Sequence, residues 1–153
     1  NQNTALMIKY KVKRIQTIDD IGDETIDFFL ESAERVSKMY GDKFNWGHFD
    51  FLKYARNNLF LVCYKDDKPV GALLARLYGS IFDPETKILM QDLLVVSPSG
   101  GRAAHLLMKV FVDFGKVHAN HVFTMIAEKS NIKKRSLERL GFTKIEELYR
   151  MET

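Results

Sequence analysis

The turn SPSGGRAA gathers residue types that bind phosphate groups. Gly100 and Gly101 would let a ligand approach the main chain closely, and Ala103 and Ala104 add little bulk. Arg102 adds a permanent cation that can contact a phosphate through two N–H groups. Because the first amides of a helix have no partner within it and carry the positive end of its dipole, the turn predicts an anion site suited to a pyrophosphate.

A second interpretation of the same turn is purely structural. Ser97, Pro98 and Ser99 are ordinary residues for the start of a helix, and paired glycines often do no more than make a tight connection. Neither the lysine motif of a P-loop nor the complete glycine fingerprint of a dinucleotide site is present. The turn by itself therefore leaves both interpretations open.

The elements around this turn follow from hydrophobic periodicity. Period-two alternation or short apolar runs predict strands at residues 7–17, 59–65, 69–78, 87–96, 121–127 and 142–151. Helical spacing predicts helices at residues 23–40, 46–57, 100–114 and 131–140, with glycines at the ends of the first and last. The order predicts an α/β (α+β) sheet with helices on both faces.

The predicted strand KILMQDLLVV is apolar on both faces except at Gln91 and Asp92, which point to opposite faces. An apolar strand of this kind is typical of the centre of a covered sheet. A carboxylate within it is either a structural hydrogen-bonding group or a group that does chemistry, and the sequence leaves both open.

Length and composition limit the class of protein. The 153 residues predict one domain, residues 1–153, and 46% hydrophobic with 28% charged residues is typical of a globular protein. No apolar run has the roughly 18 residues of a membrane span, and the single cysteine, Cys63, is interpreted as a buried strand residue. We expect a cytoplasmic protein. Because Asn1 is not methionine, residues 1–6 are interpreted as a processing remnant or an appended segment.

The strand meander, the segment VVSPSGGRAA and the ending LERLGF together resemble the GNAT superfamily of acyl-CoA-dependent N-acetyltransferases. The resemblance covers residues 59–150 well and the N-terminal third only by the order of its elements. It implies a mixed, mostly antiparallel central sheet, acetyl-CoA as cosubstrate and no metal. The loop departs from the family pattern because Ser99 stands for the usual Gln or Arg, and Arg102 stands for a Gly.

The resemblance also implies where coenzyme A would bind. The central strand would separate from its neighbour near residues 94–96, so that main-chain groups of Leu94, Val95 and Val96 pair with the pantetheine arm. The loop would hold the pyrophosphate; its residues are Gly100, Gly101, Arg102, Ala103 and Ala104. Asn131, one residue out of the family register, would contact the pantetheine.

Acetyl transfer to an amine needs a base, and a carboxylate can take the proton directly or through water. Asp92 is the first candidate base, and Glu128, after the predicted strand 121–127, is the second. The family's usual acid, a tyrosine, is replaced by Leu137. Ser136, Tyr149, Tyr78 or water would then have to supply the proton.

Two further functions compete with an N-acetyltransferase acting on the primary amine of a small molecule or protein. The absence of the tyrosine fits a catalytically silent acyl-CoA-binding module. The basic runs YKVKR and IKKR raise nucleic acid as a partner, but they are short and separated, and the net charge is only +3, so we expect none. The histidine spacings match no zinc signature, and we expect a monomer or homodimer.

Overall fold

A computed structural model describes residues 7–39, 41, 50–126, 132–151 and 153. None of the helices in these ranges is long and apolar enough to cross a membrane.

Five strands form one sheet in the order β1-β2-β3-β4-β5. The strands are β1 (Tyr10–Arg14), β2 (Leu59–Lys65), β3 (Lys68–Gly79), β4 (Lys87–Val96) and β5 (His121–Phe123). The helices are α1 (Asp23–Met39), α2 (Phe51–Asn57), α3 (Ala103–His118) and α4 (Lys134–Arg139), with a short 3₁₀ turn at Ile18–Asp20. The first four strands pair antiparallel, and β4 pairs parallel with β5, which confirms the predicted mixed, mostly antiparallel sheet.

The sheet separates two hydrophobic cores, as the alternation along β2 shows. Leu59 and Leu61 pack on the side of α3, whereas Phe60 and Val62 pack on the side of α1 and α2. Because successive side chains of a strand point to opposite faces, an almost continuous apolar run serves both layers. The helices therefore cover both faces, as predicted.

The β2–β3 hairpin turns at Asp66 and Asp67, where the sequence predicts it. Both residues have positive φ, +50° and +67°, as the two-residue turn of the I′ type requires. The backbone amide and one carboxylate oxygen of Asp66 also bond to the main chain of Lys9, which fixes the edge strand β1 beside the hairpin.

Most predicted elements are present with shifted ends, as in β5, which stops at Phe123 instead of residue 127, but two differ more. Residues 142–151 were predicted as a strand, which is wrong: they form neither strand nor helix and are mostly exposed. The segment has the residue pattern of a strand, but a strand needs a hydrogen-bonded neighbour. Lys144 and Tyr149 instead bond locally, to Glu147. Helix α2 begins at Phe51 because Asp50 caps it, its carboxylate accepting the Lys53 amide at 3.0 Å; residues 46–49 of the predicted helix lie outside the described residues.

Cys63 is fully buried in β2, and burial raises the pKa of its thiol. Since the thiolate is the reactive form, we expect iodoacetamide to leave Cys63 unmodified in the native protein and to modify it fully in concentrated urea. Mass spectrometry of the two samples measures this. Equal modification in both would contradict the buried position of the thiol.

Candidate active site

Strand β4 contains a β-bulge at Asp92. Leu74 of β3 faces Leu93, and the next residue, Ala75, faces Gln91, so Asp92 has no partner across the strand pair. A bulge bends the strand and re-aims the extra side chain. Here it turns Asp92 toward the face that α1 and α2 cover.

The Asp92 carboxylate lies between two side chains from different elements. Arg76 on β3 donates from Nε to both carboxylate oxygens, at 2.9 and 2.8 Å. Tyr54 on α2 donates its hydroxyl to Oδ2 at 2.7 Å. The guanidinium of Arg76 also lies 5.5 Å above the ring of Tyr78. We call Tyr54, Arg76, Tyr78 and Asp92 the Asp92 cluster.

The neighbours of Asp92 hold their protons firmly. Burial, together with the hydrogen bond to Asp92, raises the pKa of Tyr54, and the bond to the same carboxylate raises the pKa of Arg76. Tyr54 is therefore a neutral donor and Arg76 a cation at any physiological pH. Both orient the carboxylate, and neither competes with it as a base.

Asp92 is less buried than an apolar central strand predicts. Its side chain is 26% exposed. The hydrogen bonds to Arg76 and Tyr54 fit the structural interpretation of Asp92, and its exposure fits the chemical one. Gln91 points to the opposite face, as predicted, where it is buried and accepts a hydrogen bond from Thr124.

Strands β4 and β5 separate directly before the bulge. Their parallel pairing comprises only three residue pairs, from Ile88 with His121 to Met90 with Phe123. Beyond it, the bond between the side chains of Gln91 and Thr124 takes the place of the main-chain ladder. Among the described residues nothing pairs with the β5 side of β4 after this point, so the opening begins at Gln91, earlier than the predicted residues 94–96.

Hydrogen-bond alternation decides which main-chain groups line this opening. Ser97 donates its amide to Val70 on β3 at 2.8 Å, so the amide and carbonyl of Val95 also face β3. Those of Leu94 and Val96 face the opposite, open side. The carbonyl of Val96 does so visibly, because it accepts a hydrogen bond from Arg35 of α1 at 3.4 Å. Of the three residues predicted to pair with a ligand, Val95 instead serves β3 and the core.

The turn after β4 ends in amides that have no acceptor. Helix α3 begins at Ala103, three residues later than predicted, because Gly101 has a φ of +56° and two successive turn hydrogen bonds, from Gly100 to Ser97 and from Ala103 to Gly100, precede the helix. Within the described ranges, the amides of Gly101, Ala104 and His105 have no acceptor. The α3 amides point outward at the positive end of the helix dipole, as an anion site requires.

Packing within the protein requires the two glycines, which the sequence interpretation explained by the close approach of a ligand. A Cβ at Gly100 would lie 2.5 Å from Cγ1 of Val96 and 3.0 Å from the Ser97 carbonyl, and a Cβ at Gly101 would collide with the hydroxyl of Tyr10. The turn therefore needs both glycines whether or not a ligand binds. Its capacity for an anion depends on its amides and on nearby cations.

Two of these nearby cations come from parts of the chain outside the sequence motif. Lys65, at the end of β2, donates to the Ser99 carbonyl at 2.9 Å, and Arg35 lies at the end of β4. Arg102 itself is exposed at the N-cap, and its amide makes a long contact of 3.5 Å with the Tyr10 hydroxyl. The loop thus lacks the side-chain cation at residue 99 but has lysine and arginine from β2 and α1 beside it.

The remaining predicted residues are placed as follows. Leu137 is 8% exposed and packs in the core beside α3, so the position of the family's tyrosine is a hydrophobic contact here. Tyr149 is exposed and donates to Glu147. Glu128 and Asn131 lie outside the described residues. In the part of the chain that the structure describes, no group of three His, Cys, Asp or Glu side chains could hold a metal ion.

No protein-family model and no curated protein sequence matches the chain. Solved structures do. An aminoglycoside acetyltransferase from an uncultured soil metagenomic sample, in complex with trehalose, superposes with a TM-score of 0.67 at 15% identity, covering 94% of this chain and 95% of that one. The same protein is also known in complex with sisomicin.

Two further structures are similar over a comparable length. An acetyltransferase from Trypanosoma brucei has a TM-score of 0.68 at 14% identity, covering 95% of this chain and 100% of that one. An aminoglycoside N-acetyltransferase in complex with CoA has a TM-score of 0.62 at 10% identity, covering 94% and 98%. The chain therefore has the GNAT fold that the sequence resemblance predicts.

Proposed function

We propose that this protein is an N-acetyltransferase that transfers the acetyl group of acetyl-CoA to a primary amine, directly, in a ternary complex. The observation that carries the proposal is the opening between β4 and β5. Among the described residues it leaves the main-chain groups of Leu94 and the amide of Val96 without a partner strand, and it ends at the unpaired amides that begin α3. An extended ligand with a pyrophosphate at one end would fit this opening. Its polar groups would pair with the strand edge, and its pyrophosphate would accept hydrogen bonds from the helix amides.

The fold supports the same ligand, since one protein of this fold is known with CoA. In this chain, Gly101, Ala104 and His105 would bind the pyrophosphate through their amides, with Lys65 and Arg102 adding positive charge. The main chain of Leu94 and Val96 would pair with the pantetheine. Asn131 stays a predicted contact from the sequence resemblance.

The chemistry requires an amide bond to form while the thioester bond breaks. The amine nitrogen attacks the carbonyl carbon, the Asp92 carboxylate takes the proton that the nitrogen loses, and the thiolate leaves and is protonated by water. Main-chain amides of the β4 edge would stabilise the developing oxyanion. Tyr54 and Arg76 keep the carboxylate in one position, and Glu128 is the second candidate base.

Thermal unfolding with acetyl-CoA tests the proposal. A ligand at 100 times its Kd stabilises by about 2.7 kcal/mol, which for a domain of this size raises Tm by roughly 5–10 °C. Acetyl-CoA and CoA should both give this shift, and adenosine should not. No shift at millimolar acetyl-CoA would refute the proposal.

Release of the CoA thiol in the presence of an amine panel then separates an enzyme from a catalytically silent acyl-CoA-binding module. An enzyme releases thiol in proportion to acetylated amine. A shift in Tm without release from any amine would favour the silent module. The single buried cysteine agrees with a cytoplasmic location, which we include in the proposal.

A further inference from the structure

Arg76 presents unused donors beside the candidate base. Only its Nε bonds to Asp92, and no described residue accepts a hydrogen bond from its two Nη groups. The side chain is 53% exposed, so these groups face solvent on the α1–α2 side of the sheet. A guanidinium edge of this kind binds a carboxylate through two parallel hydrogen bonds.

The opposite charges of Arg76 and Asp92 are in direct contact, at 2.8 Å. An acceptor that satisfies both must carry a donor for the carboxylate and an anion for the guanidinium within a few ångströms of each other. An α-amino acid has this arrangement, because its amine and its carboxylate are attached to the same carbon. Its amine would reach Asp92, the base of the proposed reaction, when its carboxylate pairs with Arg76.

The floor beside this ion pair is apolar. Met90 lies opposite Arg76 and Ile88 opposite Tyr78 on the antiparallel β3–β4 pair, so all four side chains share one face. Met90 and Ile88 are half-buried, and Tyr78 is 37% exposed. This surface suits an apolar side chain attached to the same carbon as the two charged groups.

We infer that the acceptor is a free α-amino acid with an apolar side chain, whose carboxylate binds the Nη groups of Arg76. The inference rests on the acetyltransferase function proposed above. It disfavours polycationic acceptors, because the positive charge of Arg76 balances the negative charge of Asp92 and the cluster has no excess negative charge.

Matched acceptors test this inference. With acetyl-CoA, phenylalanine should be acetylated with a kcat/KM at least about 10-fold higher than phenylalaninamide or phenethylamine, since one charge-assisted contact distinguishes them. The amine of phenylalaninamide is less basic than that of phenylalanine, so a larger fraction of it is neutral and reactive at pH 7. A preference for phenylalanine is therefore opposite to the order of intrinsic reactivity. Equal rates for acid and amide, or a preference for sisomicin over phenylalanine, would overturn the inference.

The substitution Arg76→Gln tests whether Arg76 causes the preference for the acid over the amide. We expect KM for phenylalanine to rise about 10- to 100-fold and the preference for the acid over the amide to disappear, while Arg76→Lys retains part of it. Arg56→Gln makes the same change of charge on α2, two residues beyond Tyr54 and thus about 200° round the helix. It should leave the preference intact. A preference that survives in Arg76→Gln would contradict the assigned role of Arg76.

A binding measurement keeps this inference distinguishable from the proposed function. With CoA present, phenylalanine should raise the Tm of the wild-type protein further, phenylalaninamide should raise it less, and Arg76→Gln should abolish the difference. Stabilisation by acetyl-CoA without any by phenylalanine would refute the amino-acid acceptor and leave the acetyl-CoA site standing. The absence of both would refute both.

Discussion

Asp92→Asn is expected to slow acetyl transfer by about 10²-fold or more while leaving stabilisation by acetyl-CoA unchanged. Asparagine has the shape of aspartate but cannot accept the proton of the attacking amine. It can still accept hydrogen bonds from Tyr54 and Arg76 through its amide oxygen, so the cluster keeps its geometry. Steady-state rates of thiol release, with Tm measured in parallel, check this result.

Asp67→Asn is the matched control for this substitution. Asp67 lies in the β2–β3 turn with a φ of +67°, a conformation that asparagine adopts readily, so both the rate and the Tm should stay at their wild-type values. A wild-type rate in Asp92→Asn would remove Asp92 from the mechanism and leave Glu128 or a water molecule as the base.

Ala104→Glu is expected to weaken acetyl-CoA binding by about 10-fold or more, because the new carboxylate repels a pyrophosphate held by the amides at the start of α3. The fold should not suffer. Ala104 is half-buried in the first helical turn, where a negative side chain favours the helix by about 0.3–1 kcal/mol. The protein alone should therefore unfold at the same temperature or slightly higher, and the shift produced by acetyl-CoA should shrink.

Ala104→Gln supplies the matching control, since glutamine has the size of glutamate without its charge. It should lose less affinity than Ala104→Glu, and the difference should shrink at high salt. Equal affinity of the two variants would place the pyrophosphate away from the start of α3. Substitution of Gly101 would be a poorer probe, because any side chain there meets Tyr10 and the left-handed backbone strains it.

The sequence predicted one half of the Asp92 cluster and missed the other. Asp92 is conspicuous as a charge within an apolar strand, and Arg76 interrupts the neighbouring apolar run VGALLARLYG in the same way. Two lone charges of opposite sign on adjacent strands of a predicted meander indicate an ion pair. The sequence therefore contained a signal for the pairing of Arg76 with Asp92. Tyr54 gave no such signal, because an aromatic residue on an amphipathic helix is most often part of the core.

The loop shows a second limit of prediction from sequence, which concerns contacts between distant parts of the chain. Its residue types predicted an anion site, and the unpaired amides agree, but the contribution of Lys65 depends on β2 ending beside a loop 34 residues later in the chain. Periodicity predicts that β2 exists, not which side chain lies at its end beside the loop. The same reason explains residues 142–151: a pattern can show that a segment is suited to a strand, but a neighbouring strand decides whether it forms one.

The bulge has a consequence for how this strand can vary. Leu89 packs on the α3 side of the sheet, and after the extra residue the contacts of that side resume at Leu94 and Val96, an odd number of positions later. Asp92 therefore stands outside the in-and-out alternation of β4. Deleting it would remove the bulge but leave Leu94 and Val96 on the α3 side and Val95 on the other, because Leu93 would then follow Gln91 in regular alternation. The packing of the sheet thus does not require the extra residue, and what the bulge adds to the fold is the position of the Asp92 carboxylate.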